Sequence, residues 1–134
     1  MYIHKVQYYE TDMMGITHHS NYIRWMEEAR IAYLDEIGCS YGKMEKEGII
    51  SPITSVECKY KRTTTFEDVV TIEPKIVEFK GVKIKLCYTM TNETGEVVCE
   101  AKSEHCFLNK NGEIISLKRE RPDIYQLIAD RVEA

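Results

Sequence analysis

Between Val6 and Tyr22 the sequence reads VQYYETDMMGITHHSNY. Asp12 supplies a carboxylate, Gly15 permits tight or left-handed backbone, and Ser20 can cap a helix that begins there. A carboxylate held beside a helix N-terminus has a defined chemistry. The unpaired N–H groups and the positive end of the helix dipole polarise a carbonyl oxygen and stabilise the oxyanion formed when an acyl carbon, such as that of a thioester, is attacked. Asp12 would drive the attack as a general base on water or as a nucleophile forming a mixed anhydride. Residue types alone do not force this reading, because an Asp shortly before a Gly is more often a turn former than a catalyst. His19 equally suits a helix-capping or core role, and His18 an exposed one.

The elements that must position these residues are legible in the pattern. No Gly or Pro interrupts residues 20–37, and Gly38 follows as a stop signal, which predicts the main helix. Tyr22, Met26, Ala29, Tyr33 and Ile37 share one side, opposite Arg24, Glu27, Glu28 and Asp35. Ile23, Trp25, Ala32 and Leu34 widen the apolar arc, so this helix is expected to be mostly buried, with a sheet wrapped around it. A shorter helical stretch is expected from Ser40 to Glu47, before Gly48.

From there the period becomes two. Val82, Ile84, Leu86, Tyr88 and Met90 alternate with Lys83, Lys85, Cys87, Thr89 and Thr91, the clearest half-buried strand in the chain. Turn signals at Lys80-Gly81, Asn92 to Gly95 and Asn109 to Gly112 predict an antiparallel meander. The strands are placed at about 2–9, 49–60, 68–79, 82–92 and 96–108, and a closing helix at about 122–132 with Pro122 in its first turn. Pro74 cannot donate to a ladder, so its strand should lie at an edge or carry a bulge there. This order is α+β, a single domain over residues 1–134 with one antiparallel sheet of about five strands and one long helix. Such a sheet keeps open edges, which predicts a homodimer or homotetramer.

Composition narrows the function classes. The chain has 134 residues, 43% hydrophobic and 30% charged, with a formal net charge of −4. The absence of a basic block argues against nucleic-acid binding, and no apolar run is long enough for a membrane span. Cys39, Cys58, Cys87, Cys99 and Cys106 include no C-x-x-C pair and read as free thiols of a cytoplasmic protein. No metal is expected, because His4, His18, His19 and His105 show no ligand spacing with the cysteines.

Tyr8, Thr11, Asp12, Gly15, His19, Asn21 and Tyr22 resemble the signature of the 4-hydroxybenzoyl-CoA thioesterase-like family. There a Tyr-x-x-Thr-Asp-x-x-Gly segment leads into His-x-Asn-Tyr and a central helix; Trp25, Glu28, Ala29 and Arg30 extend the likeness. It continues more weakly through Val56 to Tyr60 and Phe66 to Asp68, to about Leu108. The resemblance implies a hotdog fold and hydrolysis of an acyl-CoA thioester to a free acid and coenzyme A, with no metal or organic cofactor. Asp12 takes the position of the catalytic carboxylate and the backbone N–H of His19 the position that binds the thioester carbonyl. Asn21 and Tyr22 would shape the first helical turn beside Gly15. His18 departs from the family, whose members often carry an aromatic residue there, and Glu10 falls where the family varies.

Lys59, Lys61 and Arg62 could meet the phosphates of coenzyme A, although charged residues at a strand end are commonly a solvated rim. Met13 and Met14 could line an acyl pocket, whereas Trp25 and Met26 suit the core. Three alternatives remain open: an acyl-carrier-protein thioesterase, a non-hydrolytic acyl-CoA-binding hotdog protein, and a hotdog dehydratase or hydratase. The last usually carries a motif that is absent here.

Overall fold

The computed structural model describes residues 1–133; Ala134 lies outside the described residues. Strand β1 (Tyr2–Lys5) leads into a 3-10 turn at Tyr8–Glu10. The strand expected over residues 2–9 is therefore shorter. Val6 N–H donates to the Asp68 carbonyl at 2.8 Å, and the Gln7 N–H is taken by the Glu10 carboxylate, also at 2.8 Å, which starts the turn.

Helix α1 (Ser20–Glu36) follows, with His19 and not Ser20 at its N-cap. The helix starts one residue earlier than the capping argument implied because the His18 ring supplies an acceptor there. Its Nδ1 accepts the Ser20 N–H at 3.2 Å and lies 2.8 Å from Ser20 Oγ. Tyr22, Trp25, Met26, Ala29 and Leu34 are buried, and so are the polar Asn21 and Arg30. Ile23 and Ile31 remain exposed, so the covered arc is narrower than the apolar residues alone imply. A short α2 (Tyr41–Lys46) precedes Gly48, whose φ of +87° suits glycine.

Strands β2 (Ile53–Tyr60), β3 (Val69–Phe79), β4 (Ile84–Thr91) and β5 (Val97–His105) complete one antiparallel sheet in the order β1-β3-β4-β5-β2. Ile72 and Ile76 of β3, Ile84, Leu86, Tyr88 and Met90 of β4, and Cys99 and Ala101 of β5 are buried in the core with α1. Lys85, Lys102 and their neighbours take the alternate positions, as period two requires.

Pro74 sits where its missing N–H costs least. β1 pairs with β3 only from Val69 to Ile72, so beyond that point this side of β3 is an edge, and a register shift between Ile76 and Glu78 follows. The C-terminal segment partly covers this edge. After α3 (Leu117–Glu120) and α4 (Pro122–Ala129), Val132 bridges to Ile76 and Glu133 N–H donates to the Ile76 carbonyl at 2.8 Å. That pairing ends the last helix before residue 132. At the other border of the sheet, β2 bonds only to β5, and Ile53, Val56 and Tyr60 are exposed along it. No helix among the described residues is long and apolar enough to cross a membrane.

Candidate active site

Asp12 opens a tight turn inside a small hairpin. Thr11 bridges Thr17, Asp12 N–H donates to the Ile16 carbonyl at 2.9 Å, and Gly15 N–H donates to the Asp12 carbonyl at 2.9 Å. Gly15 has φ +80°, where a side chain would be strained. The Asp12 carboxylate accepts the Met14 N–H at 2.9 Å through Oδ1. The turn-forming role that residue types favoured is thus present, yet it occupies one oxygen. Oδ2 has no hydrogen-bond partner among the described residues.

Around the start of α1 the backbone amides divide sharply. His18 N–H donates to the Glu10 carbonyl at 2.8 Å, Ser20 N–H to His18 Nδ1, and Asn21 N–H to the His18 carbonyl at 3.0 Å. His19 N–H has no partner among the described residues. It stands at the positive end of a 17-residue helix, and His19 and Asp12 both line a cleft of about 360 Å³.

The far wall comes from the end of β2 and the segment after it. Tyr60 donates its hydroxyl proton to the His19 carbonyl at 3.2 Å, and its ring meets that of Tyr22 at 5.0 Å. Burial and the neighbouring Cys58 push the Tyr60 hydroxyl up to about 12, so it stays a protonated donor. Thr17, Thr64 and Tyr22 share a buried hydroxyl cluster, with Thr17 Oγ1 2.6 Å and Tyr22 OH 3.0 Å from Thr64 Oγ1. Thr65 donates to the Gly15 carbonyl at 2.7 Å. These contacts stitch the segment after β2 onto the Asp12 turn.

Of the residues singled out from the sequence, Asp12, His19, Tyr22, Lys61 and Arg62 line the cleft together. Gly15 shapes the turn from behind. Asn21 is buried and faces the protein: its Nδ2 donates to the carbonyls of Glu10 at 2.9 Å and His18 at 3.2 Å, and its Oδ1 accepts from Arg24. Lys59 lies apart, beside Glu57, Cys87 and Lys102 in a depression bounded by β2, β4 and β5, because β2 alternates and Tyr60 takes the cleft side. Arg62 forms an exposed ion pair with Glu96 at 2.9 Å. Met14 joins the cleft; Met13 is fully exposed, and Trp25 and Met26 are core. Tyr60 and Glu10 were given no role in the site, Glu10 being named only as a position where the family varies. Alternation along β2 could have found Tyr60, whereas no spacing rule marks a buried glutamate. Among the described residues there is no group of three or more His, Cys, Asp or Glu able to hold a metal ion.

Residues 6–128 match the family model of the thioesterase-like superfamily. A Bacillus subtilis (strain 168) protein, provisionally named acyl-CoA thioesterase YneP, is 33% identical over 120 residues, 89% of this chain and 87% of its own. The solved structure of a DHNA-CoA thioesterase from Staphylococcus aureus matches with a TM-score of 0.93 and 31% identity, covering 96% of this chain and 87% of that one. The structure of the BH1999 gentisyl-coenzyme A thioesterase matches with a TM-score of 0.84 and 26% identity, over 93% and 98% of the two chains.

Proposed function

The chain belongs to the thioesterase-like superfamily and is an acyl-CoA thioester hydrolase of the hotdog fold, and from that premise we propose that Asp12 and the His19 N–H are its reacting pair. The observation that carries this reading is the unpartnered amide of His19 at the start of α1, on a residue that lines the same cleft as Asp12. The thioester oxygen accepts the His19 N–H, and the donor and helix dipole stabilise the negative charge that gathers there during attack. Asp12 either attacks the carbonyl carbon itself, giving an anhydride that water opens, or takes a proton from an attacking water. In both routes the C–S bond breaks and the products are a carboxylic acid and the coenzyme A thiol.

Tyr22 and Tyr60 give the acyl group an aromatic wall, and Lys61 and Arg62 give the coenzyme A phosphates a cationic rim. The Arg62–Glu96 pair is exposed and exchanges at little cost. Lys59 has no part in this proposal.

The free edge of β2 supports a homodimer that pairs β2 with its copy, and a homotetramer built from two such dimers. Because the cleft begins at Tyr60, where β2 ends, a second chain on that edge would border the site. Five free cysteines fit work in the cytoplasm, where thiols stay reduced.

The test is to incubate the protein with aliphatic and aromatic acyl-CoAs and follow release of the thiol. Release supports hydrolysis; tight binding without release would make the cleft a non-hydrolytic acyl-CoA site. Light scattering that gave the mass of one chain at working concentration would sink the assembly.

A further inference from the structure

Glu10 is a buried carboxylate, 4% exposed, two residues before Asp12. Its Oε1 accepts the Gln7 N–H at 2.8 Å and lies 2.8 Å from His4 Nε2; its Oε2 accepts the indole N–H of Trp25 at 2.8 Å. Its main-chain carbonyl accepts the His18 N–H at 2.8 Å and the Asn21 amide at 2.9 Å. One residue therefore joins strand β1 through His4, the approach to the turn through Gln7, the second turn of α1 through Trp25, and the residue before His19.

These bonds act on the two ends of the proposed chemistry. Asp12 follows Glu10 by two peptide units, and the His19 N–H follows the amide that the Glu10 carbonyl holds. Burial favours the neutral acid, but hydrogen bonds from His4, the Gln7 N–H and Trp25 outweigh it and keep the carboxyl below its ordinary value. Glu10 is thus an ionised anchor whose acceptor sites match donors fixed on three separate segments. Beyond it, His4 Nδ1 lies 3.5 Å from Glu28 Oε1, which also accepts the Tyr2 hydroxyl at 2.6 Å.

We propose that Glu10 is a positioning residue: by clamping Trp25, His4 and Gln7 with its carboxylate and His18 with its carbonyl, it sets the separation between the Asp12 carboxylate and the His19 N–H. This rests on the reading of Asp12 and His19 as the reacting pair. It touches no substrate. Its effect is on geometry, and misplacement of reacting groups by about 1 Å can cost on the order of a hundredfold in rate.

The experiment compares Glu10→Gln, Trp25→Phe and the double variant with wild type, using the acyl-CoA that is turned over fastest. In Glu10→Gln the amide must turn an NH₂ toward a donor, so the clamp loosens while volume is kept. The expected result is a kcat lower by about tenfold to a hundredfold with KM changed by less than about threefold. Trp25→Phe removes one bond of the clamp and should reproduce part of that loss, with the double variant no worse than Glu10→Gln. Wild-type kcat in a folded Glu10→Gln overturns the proposal, and so does a loss confined to KM. If Glu10→Gln does not fold, Trp25→Phe carries the test: reduced kcat at unchanged KM supports it, and wild-type kcat overturns it. Asp12→Asn runs in parallel. An inactive Asp12→Asn beside a fully active Glu10→Gln rejects the positioning role alone, whereas an active Asp12→Asn rejects the reading on which it rests.

Discussion

Two buried charges belong to the surroundings of helix α1: Glu10 packs beside its first two turns, and Arg30 is part of the helix itself, in its second half. The carboxylate of Glu10 meets His4, the Gln7 N–H and the Trp25 N–H, all at 2.8 Å. Arg30 is 5% exposed and has no carboxylate partner among the described residues. Its Nη1 reaches the Nε2 of a fully buried His105 at 3.2 Å, and the same nitrogen lies 2.8 Å from Ser103 Oγ, itself 2.7 Å from the Tyr88 hydroxyl. Arg30 Nε and His105 Nδ1 have no hydrogen-bond partner among the described residues. A buried charge whose hydrogen-bonding sites are met by groups held in the fold is compensated for its lost hydration, whereas one that keeps an unpartnered donor loses that hydration with less in return. The end of α1 that carries the proposed chemistry is over-determined. The other end is not.

The largest break in this comparison is chemical. Asp12→Asn leaves both buried clusters untouched, so it should keep the fold and lose activity by at least about a hundredfold in an acyl-CoA turnover assay. His19→Ala should retain far more activity, because the main-chain donor survives. His19→Pro removes that N–H at a φ of −56°, which proline accepts, and should be as poor as Asp12→Asn. Equal severe losses in folded His19→Ala and Asp12→Asn would mean that the imidazole itself takes part.

Next comes stability at the satisfied end. Glu10→Leu strands the donors of Trp25, Gln7 and His4 in the interior, and should cost about 3 kcal/mol in urea unfolding. A loss under about 1 kcal/mol would show that the anchor is no better satisfied than the Arg30 cluster.

How far these clusters were legible in the sequence follows from their physics. The helix, the alternation of β4 and the turns at Asn92 to Gly95 and Asn109 to Gly112 are local patterns, and they reappear as elements. The Asp12 turn was readable because Gly15 must sit at positive φ. Glu10 and Arg30 were not, since a periodicity argument sends charged residues to the surface. Their burial depends on partners distant in sequence, such as His4 across the turn and His105 on β5. Tyr60 belongs between these cases: its face was readable from β2, but its contact with His19 needs the whole sheet.

The two ends should also part company with pH. Burial, followed by the charge of Arg30, lowers the His105 pKa to about 3, so the folded state holds fewer protons there than the unfolded chain between about pH 6.5 and 3. Stability from this group is full above about pH 6.5 and falls as pH drops through that window, by at most about 1.4 kcal/mol per pH unit. Glu10, with its pKa depressed, contributes stability that is full above the ordinary glutamate value and is lost only as pH falls below it. Thermal melts of His105→Asn should therefore flatten the profile between about pH 6.5 and 4.5, and melts of Glu10→Gln should flatten it only below that range. Parallel profiles for both variants and wild type would remove this distinction.

The smallest effect is expected at Arg30. Arg30→Met fills a similar volume and removes both a buried charge and an N–H that lacks a partner, while His105 Nε2 keeps Ser103 Oγ at 2.8 Å. Replacing a poorly compensated buried charge by an apolar side chain is often neutral or stabilising. The expected change is therefore within about 1 kcal/mol of wild type, of either sign, against the larger loss at Glu10. Removing the cation should also lift the His105 pKa part of the way, because burial, the larger cause, remains. Urea unfolding near neutral pH and at about pH 5 reads both effects, and the gap between the two conditions should shrink slightly in the variant. A loss of about 3 kcal/mol or more would mean that Arg30 is compensated beyond the contacts seen within this chain and that the two ends of α1 are equally well satisfied.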